Sequence, residues 1–79
     1  MIWLFERGHE AIRLETRFDR PSDEYTISIT WADAATTMER YPAFAEFHAR
    51  IMALEQRFST DHWAQVGSAQ IIPGDWRGP

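Results

Sequence analysis

The 79-residue chain contains no cysteine, no lysine and no long hydrophobic run. Without cysteine, the sequence excludes a disulfide framework, a thiolate nucleophile and any zinc or iron–sulfur site held by thiolates. The apolar run at the N-terminus stops at Glu6, which is too short for a signal peptide or a membrane span. We therefore expect a soluble, cytoplasmic protein.

All the basic side chains are arginine, and the formal net charge is −4. Arginine suits bidentate and stacked contacts, although a biased genome composition explains the missing lysine more simply. Binding to a phosphate backbone depends on clustered positive charge, which a net acidic domain lacks. The charge balance therefore argues against nucleic acid as a partner.

The sequence also lacks the common catalytic and nucleotide-binding motifs. Its four glycines form neither GxGxxG nor a P-loop, and neither GxSxG nor HExxH is present. The three histidines, His9, His48 and His62, include no pair at helical i,i+4 spacing. A chain this short also has little material for a concave pocket. We expect no catalytic residue, no cofactor and no metal ion, with the histidines in local hydrogen bonds.

Two neighbouring segments alternate apolar and polar residues and are joined by a turn around Pro21. Such alternation, with a short connection rich in turn-forming residues, predicts an antiparallel hairpin with one wet face. The flanking segments extend it to a meander of three to four strands, at about residues 2–6, 10–19, 24–32 and 36–41. The expected helix-facing residues are Ile12, Leu14, Thr16, Phe18, Tyr25, Ile27, Ile29 and Trp31. The expected wet residues are Arg13, Glu15, Arg17, Thr26, Ser28, Thr30, Thr37 and Glu39.

After residue 41 the hydrophobic period changes from two to about 3.6. Large apolar residues recur at spacings of three and four, namely Phe44, Phe47, Ile51, Leu54 and Phe58. This pattern predicts an amphipathic helix over residues 42–58, with Pro42 in its first turn, or one that continues to residue 66 before Gly67. We therefore expect one α+β domain over residues 1–66, with the helix covering one sheet face, and an irregular C-terminal arm over residues 67–79.

The chain has a surplus of large aromatic residues for one small core, with five Phe, four Trp and two Tyr. One helix cannot cover both faces of the first strand, so either Trp3 and Phe5 or Ile2 and Leu4 should lie outside. The first strand is also expected to be a sheet edge, which can pair with another chain, unless the C-terminal arm covers it. Exposed aromatic and arginine side chains are typical of protein interfaces. The candidate interaction surface consists of Trp3, Phe5, Arg13, Arg17, Trp63 and Trp76.

The sequence therefore favours a small non-catalytic binding or accessory module that acts through a protein partner or self-association. One alternative is a nucleic-acid-binding module that uses Arg13 and Arg17 on the wet sheet face, because small sheets can read a major groove. Glu15 between these arginines counts against it. The other alternative is a small-ligand or metal-binding protein that uses the histidines.

Overall fold

The structure is a computed structural model that describes residues 1–67 and residue 69. The elements in chain order are β1 (Ile2–Arg7), β2 (Glu10–Asp19), β3 (Glu24–Thr30), β4 (Thr36–Tyr41), α1 (Phe44–Thr60) and β5 (Ala64–Gln65). The strands form one antiparallel sheet in the order β4-β3-β2-β1-β5, and α1 packs against one face. The predicted α+β class, the meander and the single covering helix are confirmed. Most of the predicted C-terminal arm lies outside the described residues.

The core lies between the predicted apolar face of the meander and the predicted stripe of the helix. Alternation along β2 and β3 sends every second side chain toward α1. The core residues are Phe5, Ile12, Leu14, Ile27, Ile29, Phe47, Ile51, Leu54 and Phe58. Trp31 follows the end of β3 and packs against this core, with its ring edge-on to Phe58. Burial of large apolar side chains is worth roughly 1.5–3 kcal/mol each, so this cluster is the main drive for folding.

Helix α1 is bounded on both sides by turns. It begins at Phe44 after Ala43 in the N-cap position, so Pro42 precedes the cap instead of occupying the first turn. It ends at Thr60, and the N–H of Asp61 donates to Arg57 O. His62 then adopts φ +67°, which reverses the chain toward the sheet. The helix therefore ends near the shorter of the two predicted limits.

Strand β5 makes β1 an internal strand. Its two residues pair with Phe5 and Glu6, and the N–H of Val66 donates to Leu4 O at 2.8 Å. The expectation that the first strand forms a sheet edge was wrong, because β1 lies between β2 and β5, and the outer strands of the described sheet are β4 and β5.

The two faces of β1 have different environments. Phe5 is only 5% exposed and stacks at a tilt on Phe58, with 5.0 Å between ring centroids. Trp3 is half-buried against the core, whereas Leu4 is 44% exposed on the opposite face. The placement of Phe5 on a candidate interaction surface is therefore corrected, since its ring is enclosed by the helix and the sheet.

Candidate functional site

A cleft of about 530 Å³ opens at one end of the sheet. It forms where the β1–β2 turn, the β3–β4 connection and the C-terminal end of α1 meet. Its lining residues include charged, aromatic and small side chains: Arg7, Glu10, Ile12, Trp31, Ala32, Asp33, Ala35, Arg57, Phe58, Asp61 and Trp63. A chain this short is expected to have little material for a concave pocket. The cleft nevertheless forms because the β1–β2 turn, the β3–β4 connection and the segment after α1 all contribute to its lining.

One wall of the cleft is an arginine stacked on a tryptophan. The Arg7 guanidinium carbon lies 4.4 Å from the centroid of the Trp63 ring. Its Nη1 donates to Asp61 O at 3.0 Å, and its Nη2 donates to Glu10 Oε1 at 3.1 Å. A positive charge at a helix C-terminus is favourable because the last carbonyls carry partial negative charge. These contacts from separate elements hold Arg7 in place and position the indole of Trp63 before any ligand arrives.

A second arginine and tryptophan also line the cleft. The Arg57 guanidinium carbon is 5.9 Å from the centroid of the Trp31 ring. The Trp31 indole donates from Nε1 to Thr37 Oγ1 at 3.0 Å, which fixes the ring plane. Arg57 Nε is 3.9 Å from Asp61 Oδ2, and the Arg57 side chain is 64% exposed. Such an exposed, loose pair is worth little, so the Arg57 guanidinium can turn toward a ligand at low cost.

The backbone beside the cleft is held in an uncommon conformation at two places. Ala34 has φ +70° in the β3–β4 connection, and His62 has φ +67° after α1. Left-handed conformations are costly for alanine and persist only where surrounding contacts enforce them. Here the N–H of Ala34 donates to Trp31 O at 2.9 Å, and the N–H of Trp31 donates to Ala35 O at 2.8 Å. This tight turn presents Asp33 at the rim.

The floor of the cleft is apolar and its rim is charged. Ile12 and Phe58 are almost fully buried beneath it. The rim carries two guanidinium groups and three carboxylates, those of Glu10, Asp33 and Asp61. An apolar floor with a few fixed polar groups is the usual composition of a ligand pocket. The arrangement is suited to a ligand in which a large apolar side chain is flanked by polar groups.

The residues predicted for an interaction surface occupy separate parts of the molecule. Of the five that fall within the described part of the chain, Trp63 alone lines the cleft. Trp3 lines a smaller, mainly apolar groove of about 200 Å³ beside Met52. Phe5 is in the core, as described above, and Trp76 lies outside the described residues.

Arg13 and Arg17 lie on the open sheet face, away from the cleft. The Nη2 atoms of both approach Glu15 Oε1 at 3.3 Å. Glu15 thus offsets part of the positive charge that a phosphate ligand would need on this face. The predicted position of these arginines on the sheet face opposite the helix agrees with the strand register.

Sequence reasoning missed Arg7, Trp31 and Arg57 as site residues. Trp31 ends an alternating run and was assigned to the core, where part of its ring does lie. Arg7 and Arg57 are separated by most of the domain along the chain. The one available signal was the combination of arginine with tryptophan, which favours stacking but does not show which pairs meet.

About two helical turns before Arg57, a polar network fastens β4 to α1. Arg50 donates from Nε and Nη2 to the two carboxylate oxygens of Glu39, at 2.9 and 3.0 Å. Tyr41 Oη donates to Glu39 Oε1 at 2.6 Å. The hydrogen bond from Arg50 is the main cause that lowers the pKa of Glu39, and the hydrogen bond to Glu39 is the main cause that raises the pKa of Tyr41. The hydrogen bond with Glu39 likewise raises the pKa of Arg50.

This network corrects one sequence expectation. Thr37 and Glu39 were expected on the wet face, but they pair with Ile29 and Ile27 and share the helix side of the sheet. Met38 takes the wet position instead and is 60% exposed.

The histidines form no common site. The ring of His48 stacks on that of Phe44, with 5.6 Å between centroids, and His9 lies in the β1–β2 turn. Within residues 1–67 and 69, no group of three His, Asp or Glu side chains is placed to hold a metal ion. In the same part of the chain, no helix has the length and apolar character needed to span a membrane.

Comparison of the chain with protein-family models, with curated proteins and with solved structures gives no match.

Proposed function

We propose that this domain is a non-catalytic binding module that captures a segment of a partner protein in the cleft between Trp31 and Trp63. The observation that carries the proposal is the presence of two arginine–tryptophan pairs in the lining of one cleft, together with the buried apolar residues Ile12 and Phe58.

The composition of the cleft supports a protein ligand. Tryptophan and arginine are the residue types that contribute most binding energy at protein interfaces, especially around well-packed concave sites. Arg7 is held by Asp61, Glu10 and Trp63, so one wall needs little ordering when a ligand binds. Preorganisation of this kind lowers the entropic cost of association.

The electrostatics of the site favour a peptide over a nucleic acid. Three carboxylates share the rim with the two guanidinium groups, and the whole chain carries a net charge of −4. A phosphate backbone gains affinity from uncompensated positive charge, which this rim does not provide. A peptide with one large apolar anchor side chain matches both the floor and the mixed rim.

The test is selection of a random dodecapeptide library against the purified chain, followed by affinity measurements on the selected peptides. Arg57→Glu reverses a charge at the cleft mouth without removing buried atoms. Arg13→Glu is the matched control, because Arg13 is also about half exposed and also contacts a carboxylate, but lies on the open sheet face.

We expect Arg57→Glu to lower the affinity for the selected peptides at least tenfold, a loss of about 1.4 kcal/mol in binding free energy. Arg13→Glu should leave the affinity within about twofold. Failure to select any peptide, or equal losses in the two variants, would refute the cleft as a protein-binding site.

A further inference from the structure

We propose that a second copy of this chain pairs with the free edge of β4, so that two sheets join into one across a two-fold axis. β4 is six residues long, and among residues 1–67 and 69 its one neighbouring strand is β3. An edge strand of this length presents a row of backbone groups that another strand can satisfy. The pairing uses none of the cleft-lining residues and therefore goes beyond the proposed function.

The hydrogen-bonding phase of the hairpin shows which backbone groups point outward. The N–H of Trp31 donates to Ala35 O, which makes this pair the hydrogen-bonded one next to the turn. In an antiparallel ladder, hydrogen-bonded and non-hydrogen-bonded pairs alternate. Counted along the register from Trp31, the residues that bond to β3 are Thr37, Glu39 and Tyr41. The residues with outward N–H and C=O groups are therefore Thr36, Met38 and Arg40.

A two-fold axis perpendicular to the sheet must place residues of the same face opposite one another. Centred on Met38, the pairing sets Met38 against its own copy and Thr36 against Arg40 of the other chain. Outward groups then meet outward groups at every one of these positions, and no like charges are opposed.

The two registers displaced toward the C-terminal end of β4 are worse. An axis centred on Glu39 opposes two carboxylates and places Pro42, which has no N–H, opposite Thr36. An axis centred on Arg40 opposes two guanidinium groups. Of the registers centred on Met38, Glu39 and Arg40, only the one centred on Met38 opposes no like charges and no proline.

The side chains of β4 favour that register. Met38 is 60% exposed, and pairing removes two such apolar side chains from water. The charged residues of the strand already have partners: Glu39 is held by Arg50, and Arg40 Nη1 lies 3.5 Å from Asp19 Oδ2. The charges that often prevent edge pairing are thus largely offset within the chain.

Cysteine cross-linking tests the register, since the chain has no cysteine of its own. In the hydrogen-bonded pair centred on Met38, the two Cα atoms would be about 5.5 Å apart, within disulfide range. With a mild oxidant, Met38→Cys should form a covalent dimer at least about tenfold faster than Glu39→Cys. The matched control is Met52→Cys, which replaces another exposed methionine, 56% exposed, on the helix.

Sedimentation of the oxidant-free protein tests the association itself. We expect the wild-type chain to sediment as a dimer and Met38→Pro to sediment as a folded monomer, since proline at this position removes only an outward N–H. Circular dichroism confirms that the variant is folded, and Met38→Lys serves as a second variant if it is not. A monomeric wild type, or cross-linking of Met38→Cys no faster than that of Met52→Cys or Glu39→Cys, would overturn the proposal.

Discussion

At the scale of single residues, the left-handed Ala34 is the clearest strain in the fold. Its φ of +70° is one that glycine adopts without steric cost. Ala34→Gly should therefore raise the free energy of unfolding by about 0.5–1 kcal/mol, measured by urea denaturation. Ala32→Gly in the same connection is the control, because Ala32 has no positive φ. This substitution relieves no strain and only increases the conformational entropy of the unfolded chain, so it should lower the free energy of unfolding. Equal destabilisation by both variants would contradict the reported backbone conformation.

The lowered pKa of Glu39 predicts how the free energy of unfolding depends on pH. Because Arg50 lowers its pKa in the folded state, the ionised form stabilises the fold above the unfolded-state pKa. This contribution falls away as the pH drops through the lowered folded-state pKa. Glu39→Gln should cost about 1 kcal/mol at neutral pH, and the difference from wild type should shrink toward zero in acid. A difference that stays constant down to acid pH would show that the charge on Glu39 does not contribute.

At the scale of elements, the burial of side chains along α1 changes sharply between positions only two residues apart. Leu54 is fully buried, whereas Met52, two residues earlier, is 56% exposed. Leu54→Ala should lower the free energy of unfolding by about 2–5 kcal/mol, because it leaves a cavity under the sheet. Met52→Ala should change it by less than about 0.5 kcal/mol. Chemical denaturation of both variants checks which face of α1 packs against the sheet. A similar loss of stability in the two variants would contradict the orientation of α1 about its own axis.

The sequence predicted the elements that have a strong period of their own. Alternation in β2 and β3 and the 3.6-residue stripe of α1 were sufficient, because each pattern spans several repeats. The phase of β4 was assigned wrongly because Thr37 and Glu39 look polar, and a shift of one residue exchanges the two faces. The hydrogen bonds from Arg50 of α1 and from Tyr41 explain why a carboxylate lies on the helix side. β5 was missed because two residues show no period and depend on pairing with β1.

At the scale of the whole molecule, the cleft was beyond sequence reasoning. The sequence predicts an exposed Trp63 and a Trp31 that faces the core. Their presence in one cleft depends on how the helix end and the β3–β4 connection meet, and on the contacts of Arg7 and Arg57. Residues brought together from distant parts of a chain have no local pattern that a single sequence displays. The binding proposal therefore rests on tertiary geometry, and its most direct test must locate the ligand.

Nuclear magnetic resonance of the indole N–H groups provides that test, with signals assigned by Trp→Phe variants and a library-selected peptide as the titrant. The Trp31 indole is a sensitive reporter because its Nε1 donates to Thr37 Oγ1. The signals of Trp31 and Trp63 should shift as the peptide is added, while that of Trp3, at the separate apolar groove, stays in place. A shift of the Trp3 signal with Trp31 and Trp63 unchanged would contradict binding in the cleft.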